Sequence, residues 1–116
     1  MGGNSYTTDL YLDLFRKKWS IYILAELFTG SKRFQDFQNN SPTISPKVLN
    51  QTLIEMEKMG LIDKTVISKK PKITEYCLTE KGYETRKFVK ELLIFLTNNS
   101  NLADDLYKIE EKIELL

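Results

Sequence analysis

Lys47, Asn50, Gln51, Ile54 and Lys58 share one side of the stretch Ile44–Gly60, provided that stretch is a helix turning about 100° per residue. Amides that donate and accept at once can pair with the edge of a base, and ammonium groups can meet phosphate. This is the chemistry of recognition rather than of reaction. Leu49, Leu53 and Met56 make a narrow apolar stripe opposite, with Val48, Thr52 and Met59 beside it. The limits of the helix are local: Ser45 can cap the first turn, Pro46 gives up a donor that would be unpaired there, and Gly60 supplies a left-handed stop. An amphipathic surface helix with no partner has the same pattern, so the stretch alone leaves both readings open. A second cationic group, Lys69, Lys70 and Lys72 around Pro71, stands at the tip of a predicted hairpin. Three lysines there either guard an exposed sheet edge or reach along a nucleic-acid backbone, and the neighbouring helix favours the second.

Other chemistry finds no residues. There is no histidine and one cysteine, Cys77, and neither a GxxxxGK[ST] phosphate loop nor a GxSxG elbow occurs. No catalytic residue, metal site or cofactor is assigned, and an enzyme is not expected. The chain carries 17 basic and 16 acidic residues, but residues 16–90 hold 15 basic against 8 acidic, and both ends are acidic. A basic centre suits a polyanion. A lone cysteine points to a reducing compartment and a structural role for Cys77. With no apolar run near the ~18 residues of a membrane span, the expected location is cytoplasmic.

Stepping along the chain, residues 1–7 are expected to fray, and Leu10, Tyr11, Leu14 and Phe15 recur at helical spacing from Thr8. Arg16-Lys17-Lys18 leads into Trp19–Phe28, apolar enough to be the central core helix, with Trp19 as a packing anchor. Ser31–Arg33 is a connector and candidate strand, and Phe34–Asn40 a short helix. The turn Ser41–Ile44 joins it to the capped helix, giving a helix-turn-helix. Leu61–Ser68 and Ile73–Leu78 read as strands, interrupted where proline and charge forbid further pairing. Thr79 caps a further helix carrying Phe88, Leu92, Phe95 and Leu96, which Asn98–Asn101 should break. Leu102, Leu106, Ile109, Ile113 and Leu116 then alternate like a coiled-coil seam. The fold class is mainly α with a small β-hairpin (α+β), in a single domain over residues 1–116. Its core spans about 16–90, with terminal helices over about 8–15 and 80–116. The apolar surplus at Leu10, Leu14, Phe88, Leu92, Leu102, Leu106, Ile109 and Ile113 predicts a homodimer.

This order of elements is the plan of a winged helix-turn-helix, and the residues resemble the HxlR-type transcriptional regulators, which are MarR-like in plan. The matching residues are Lys18-Trp19, Ile23-Leu24, Glu26-Leu27, Lys32-Arg33-Phe34, Ile44-Ser45, Lys47-Val48-Leu49, Leu53, Glu55, Glu57, Gly60-Leu61-Ile62, Glu75-Tyr76, Leu78-Thr79 and Gly82. The resemblance implies a sequence-specific regulator of transcription, a homodimer on double-stranded DNA. It places the recognition helix, about 45–59, in the major groove and the wing, 68–72, on the backbone. It assigns Ser45, Lys47, Asn50, Gln51 and Ile54 to recognition, Lys32 and Arg33 to phosphates, and Lys69, Lys70 and Lys72 to the wing. Ser5 and Tyr6 stand where many members have a redox-sensing cysteine. Thr52 and Ile54 stand where arginine is common, which favours apolar contact with a thymine methyl. No small-molecule effector is identified. The alternative is a winged-helix module that binds proteins without touching DNA.

Overall fold

The computed structural model describes residues 2–99, with side chains from Thr8 onward. Its first helix, α1 (Gly2–Phe15), begins earlier than its sequence suggests. Glycine, asparagine and threonine are poor helix formers, but propensity is a weak prior once the far end of a helix is held. Leu14 is buried at 2% exposure, and the Tyr11 hydroxyl donates to the Met59 carbonyl at 3.2 Å. Residues 2–7, expected to fray, are therefore helical. An extended Lys17 turns the chain into α2 (Lys18–Leu27), whose Ile21, Ile23, Leu24, Ala25 and Leu27 are all buried. This is the central helix that its apolar content predicts. Trp19 is only half-buried, its ring 5.8 Å from that of Tyr22.

After Gly30, at φ 134°, Lys32 makes a one-residue bridge to Tyr76, with N–H···O distances of 3.0 and 2.7 Å in the two directions. The connector is thus a minimal third strand. The two helices of the helix-turn-helix follow, α3 (Phe34–Asn40) and α4 (Pro46–Lys58), with Phe37 and Ile44 buried. An antiparallel hairpin comes next, β1 (Ile62–Lys69) and β2 (Lys72–Leu78), in register from Ile62↔Leu78 to Val66↔Thr74. A bulge between Val66 and Ser68 then shifts the pairing to Ser68↔Ile73 and Lys69↔Lys72. Pairing does not stop at the lysines as expected. Proline is confined to the two-residue turn, a cis Lys70–Pro71 peptide, where it interrupts no ladder bond.

The C-terminal helix is two helices, α5 (Glu80–Glu84) and α6 (Arg86–Asn98), separated by Thr85. Thr85 Oγ1 donates to the Gly82 carbonyl at 2.7 Å, and Val89 N then starts a new ladder on Thr85 O at 2.9 Å. Val89 and Leu93 face the core, while Phe88, Phe95 and Leu96 are exposed and Leu92 is half-buried. Of the residues assigned to a dimer contact, Leu14 belongs instead to the core of a single chain, because that side of α1 faces inward. Leu10 is exposed, and the Phe88 ring lies 5.4 Å from that of Phe15. Leu102, Leu106, Ile109 and Ile113 lie outside the described residues, as does the seam they would form. Among the described residues no helix is long and apolar enough to cross a membrane.

Candidate nucleic-acid interface

The outward face of α4 is held by caps at both ends. Val48 N donates to Ser45 Oγ at 3.1 Å, satisfying one of the free first-turn amides, with Pro46 just inside the cap. At the other end Gly60 takes φ 76°, and its carbonyl accepts from Thr79 Oγ1 at 2.5 Å. The cap of α5 is thereby tied to the end of α4. Leu49, Thr52, Leu53 and Met56 are buried, so the helix cannot roll without exposing them. Lys47, Asn50, Gln51, Ile54 and Lys58 are consequently exposed together.

Among the described residues none of Lys47, Asn50, Gln51 and Lys58 spends its side chain on an intramolecular partner. Val48, expected beside the buried stripe, is 38% exposed. It lies at the edge of the buried stripe, beside the fully buried Leu49, whereas Thr52 one turn later is covered and donates to Val48 O at 2.8 Å. The outward face therefore carries two apolar side chains, Val48 and Ile54.

Glu55, one turn after Gln51, would set a carboxylate beside this face. Lys17 Nζ reaches both its oxygens, at 3.1 and 2.9 Å, from the start of α2. The elbow between the first two helices thus masks the acid that a polyanion would meet. Nothing in the sequence indicates this, since the partners are 38 residues apart.

Lys69, Lys70 and Lys72 are all exposed at the tip of the hairpin, with Lys69 directly opposite Lys72. Like charges on facing positions destabilise a ladder, so the tip carries a repulsion that an anion would relieve. Lys72 also lines an open groove of about 370 Å³ together with Arg33, Gln35, Lys64 and Thr74. Here the structure adds Lys64, which sequence reading missed. The signal was available: with period two, Lys64 falls on the same face as Ile62, the face whose cross-strand partner is Tyr76. Lys32 is not part of the groove lining; its ammonium lies 3.3 Å from the Gly30 carbonyl. Arg33 is held at the start of α3, where its N–H donates to Asp36 Oδ2 at 2.8 Å. Tyr76 closes the groove from below, with its ring edge-on to Phe37 at 6.2 Å. Burial, and after it the Glu57 carboxylate, hold its phenol above the ordinary value of 10.0.

The site offers hydrogen-bonding amides, two apolar groups, and cations on both flanks. Comparison with known proteins agrees in kind. The family described as HxlR-like helix-turn-helix matches residues 14–104. An uncharacterized HTH-type transcriptional regulator of Methanothermobacter thermautotrophicus is 36% identical over 84 residues, 71% of this chain and 64% of that one. YvaP, an uncharacterized HTH-type transcriptional regulator of Bacillus subtilis, is 37% identical over 71 residues, 61% of this chain and 66% of that one. The chain thus spans just under two thirds of the length of these two relatives. Among solved structures, the redox regulator HypR in its oxidized form superposes with a TM-score of 0.76 at 27% identity, covering 82% of this chain and 98% of that one.

Proposed function

This chain belongs to the HxlR-like helix-turn-helix family, and from that premise we propose that it is a transcriptional regulator that binds double-stranded DNA as a homodimer. The recognition helix α4 enters the major groove. Asn50 and Gln51 read adenine edges, while Val48 and Ile54 take up thymine methyl groups. Ser45 and Lys47 approach from the N-terminal turn. Lys69, Lys70 and Lys72 of the wing, with Arg33 and Lys64 across the groove, bind phosphate, and Lys32 adds only long-range charge. The observation that carries this reading is the unpartnered outward face of α4 flanked by the facing lysines of the wing. Phe88, Leu92, Phe95 and Leu96 recur at i, i+4, i+7 and i+8 on α6, an apolar stripe separate from the buried one. Together with Leu10 it supports a symmetric dimer contact, and light scattering at micromolar concentration should return twice the chain mass.

The DNA reading is tested by titrating Lys72→Ala and Gln51→Ala on operator and random DNA at several salt concentrations. Lys72→Ala should weaken both DNAs alike and reduce the salt slope by about one unit per chain. Gln51→Ala should cost about 1–3 kcal/mol on the operator and leave random DNA unchanged. Equal losses from both variants on both DNAs would refute the division of labour. Wild-type protein with no salt-dependent affinity for DNA would favour the protein-binding module instead.

A further inference from the structure

Met59 ends α4, and its carbonyl is one of those that a helix terminus leaves without a partner inside the helix. Two side chains from other helices satisfy it. The Tyr11 hydroxyl of α1 donates to it at 3.2 Å, and the Lys81 ammonium of α5 donates at 3.2 Å. The same ammonium lies 4.7 Å over the Tyr11 ring, so Tyr11 meets the carbonyl and also seats the second donor. A cation at this point suits the negative end of the helix dipole. One turn earlier Glu55 accepts both of its bonds from Lys17, two residues beyond the end of α1. We propose that Tyr11 is a positioning residue for sequence-specific DNA binding: its hydroxyl and ring lock the last turn of α4 to α1 and set the tilt at which Asn50 and Gln51 meet the bases.

The buried stripe of Leu49, Leu53 and Met56 opposes rolling of α4 about its axis. Tilt is set by what grips the ends. The Ser45 cap at the first end acts within the segment itself, on Val48 N, whereas the bonds from Lys17, Tyr11, Lys81 and Thr79 gather between Glu55 and Gly60. The helix is thus held to the rest of the fold near its C-terminus and presents its reading residues further out. Gln51 lies eight residues before Met59, about 12 Å along the axis, so a tilt of about 5° moves it by about 1 Å. A hydrogen bond between an amide and a base edge does not survive a displacement of that size. A lysine on its flexible stem follows a phosphate through the same movement. Loosening the lock should therefore cost specific affinity and spare the rest. The loss is bounded by the one hydrogen bond removed, since apparent affinity falls only with the fraction of chains in the competent pose, up to about fivefold. The inference rests on α4 as the helix that reads DNA, whereas the lock itself does not.

Two variants of the full chain test it without changing the charge. Tyr11→Phe deletes the hydroxyl but keeps the ring under Lys81 and its stack on Phe15 at 6.0 Å, and Tyr11→Leu deletes both. The probes are a duplex selected by the wild type from a random pool and a random duplex. Tyr11→Phe should weaken the selected duplex by about two- to fivefold and Tyr11→Leu by more, with the random duplex and its salt slope unchanged. A mutational cycle separates positioning from mere loss of folded protein. Gln51→Ala should cost less in Tyr11→Leu than in the wild type, although sites about 12 Å apart otherwise add, and Lys72→Ala should cost the same in both. Unchanged affinity for the selected duplex in both variants, equal losses on the two duplexes, or an additive cycle would overturn the proposal. Hydrogen exchange of the free chain tests the lock without DNA: the amides of Met59, Gly60 and Leu61 should exchange about two- to fivefold faster in Tyr11→Phe. Unchanged exchange would refute the lock. Faster exchange in a protein whose wild type binds no DNA would uphold the lock and overturn the reading of α4.

Discussion

Gly82→Ala adds one methyl group and sets two effects against each other. Helix propensity favours the change, because alanine inside a helix such as α5 is worth about 1 kcal/mol over glycine. Gly82 is not among the glycines with positive φ, so backbone strain does not enter. Packing opposes the change. The new Cβ would lie 2.2 Å from the Leu61 carbonyl oxygen and 2.9 Å from Leu78 Cδ2. A leucine methyl can rotate away, but the carbonyl is backbone at the junction of α4 and β1, and it accepts from Thr79 N at 3.1 Å. An ordinary carbon–oxygen contact needs about 3.3 Å, so the carbonyl must retreat by about 1 Å. Thr79 also caps α5 by accepting from Gly82 N at 3.0 Å, so the same displacement strains the cap. Overpacking costs about 1–3 kcal/mol and a weakened hydrogen bond about 1 kcal/mol more. Against a gain of about 1 kcal/mol, the net is a loss of about 1–3 kcal/mol. Urea denaturation of Gly82→Ala should show a lower midpoint with an unchanged slope, and Glu84→Ala, exposed in the same helix, should stay within about 0.5 kcal/mol of wild type. A midpoint equal to or above wild type would show that the close approach of α5 to Leu61 is wrong.

Two further predictions concern the same assembly. Ser45→Ala removes the acceptor of Val48 N and should cost about 1 kcal/mol in urea denaturation; a change of a few tenths would mean that the cap contributes nothing to α4. Tyr76→Phe tests the buried phenol. Folding favours its neutral form, so its contribution is fully present below the unfolded value of 10.0 and is lost as pH rises through the higher folded value. The stability of wild type relative to Tyr76→Phe should therefore fall above about pH 10, and a difference that stays flat to pH 11 would refute the assigned burial.

How much of this was legible in the sequence follows from how far each cause lies from its effect. The bounds of α4 could be read because their determinants are local: the Ser45 hydroxyl acts three residues away, Pro46 acts on its own N–H, and Gly60 on its own φ. The close packing of α5 could not, because it depends on Gly82, whose missing side chain makes room for the backbone of Leu61, 21 positions earlier. The masking of Glu55 and the Arg33–Lys64–Lys72 groove depend in the same way on helices and strands meeting across the fold.

The apolar residues of the terminal helices show the limit most sharply. Leu14 and Phe95 both stand at helical spacing among other apolar residues, yet one is 2% exposed and the other 62%. Periodicity identifies a stripe without saying what covers it. Here α6 carries two: Val89 and Leu93, one turn apart, close the core, while Phe88, Leu92, Phe95 and Leu96 follow the same spacing on a neighbouring face. Among the described residues the first stripe is covered, while Phe88, Phe95 and Leu96 of the second are exposed. Exposed aromatics of this kind cost solubility unless covered. The outer stripe thus argues for a second surface from energetics, independently of any resemblance.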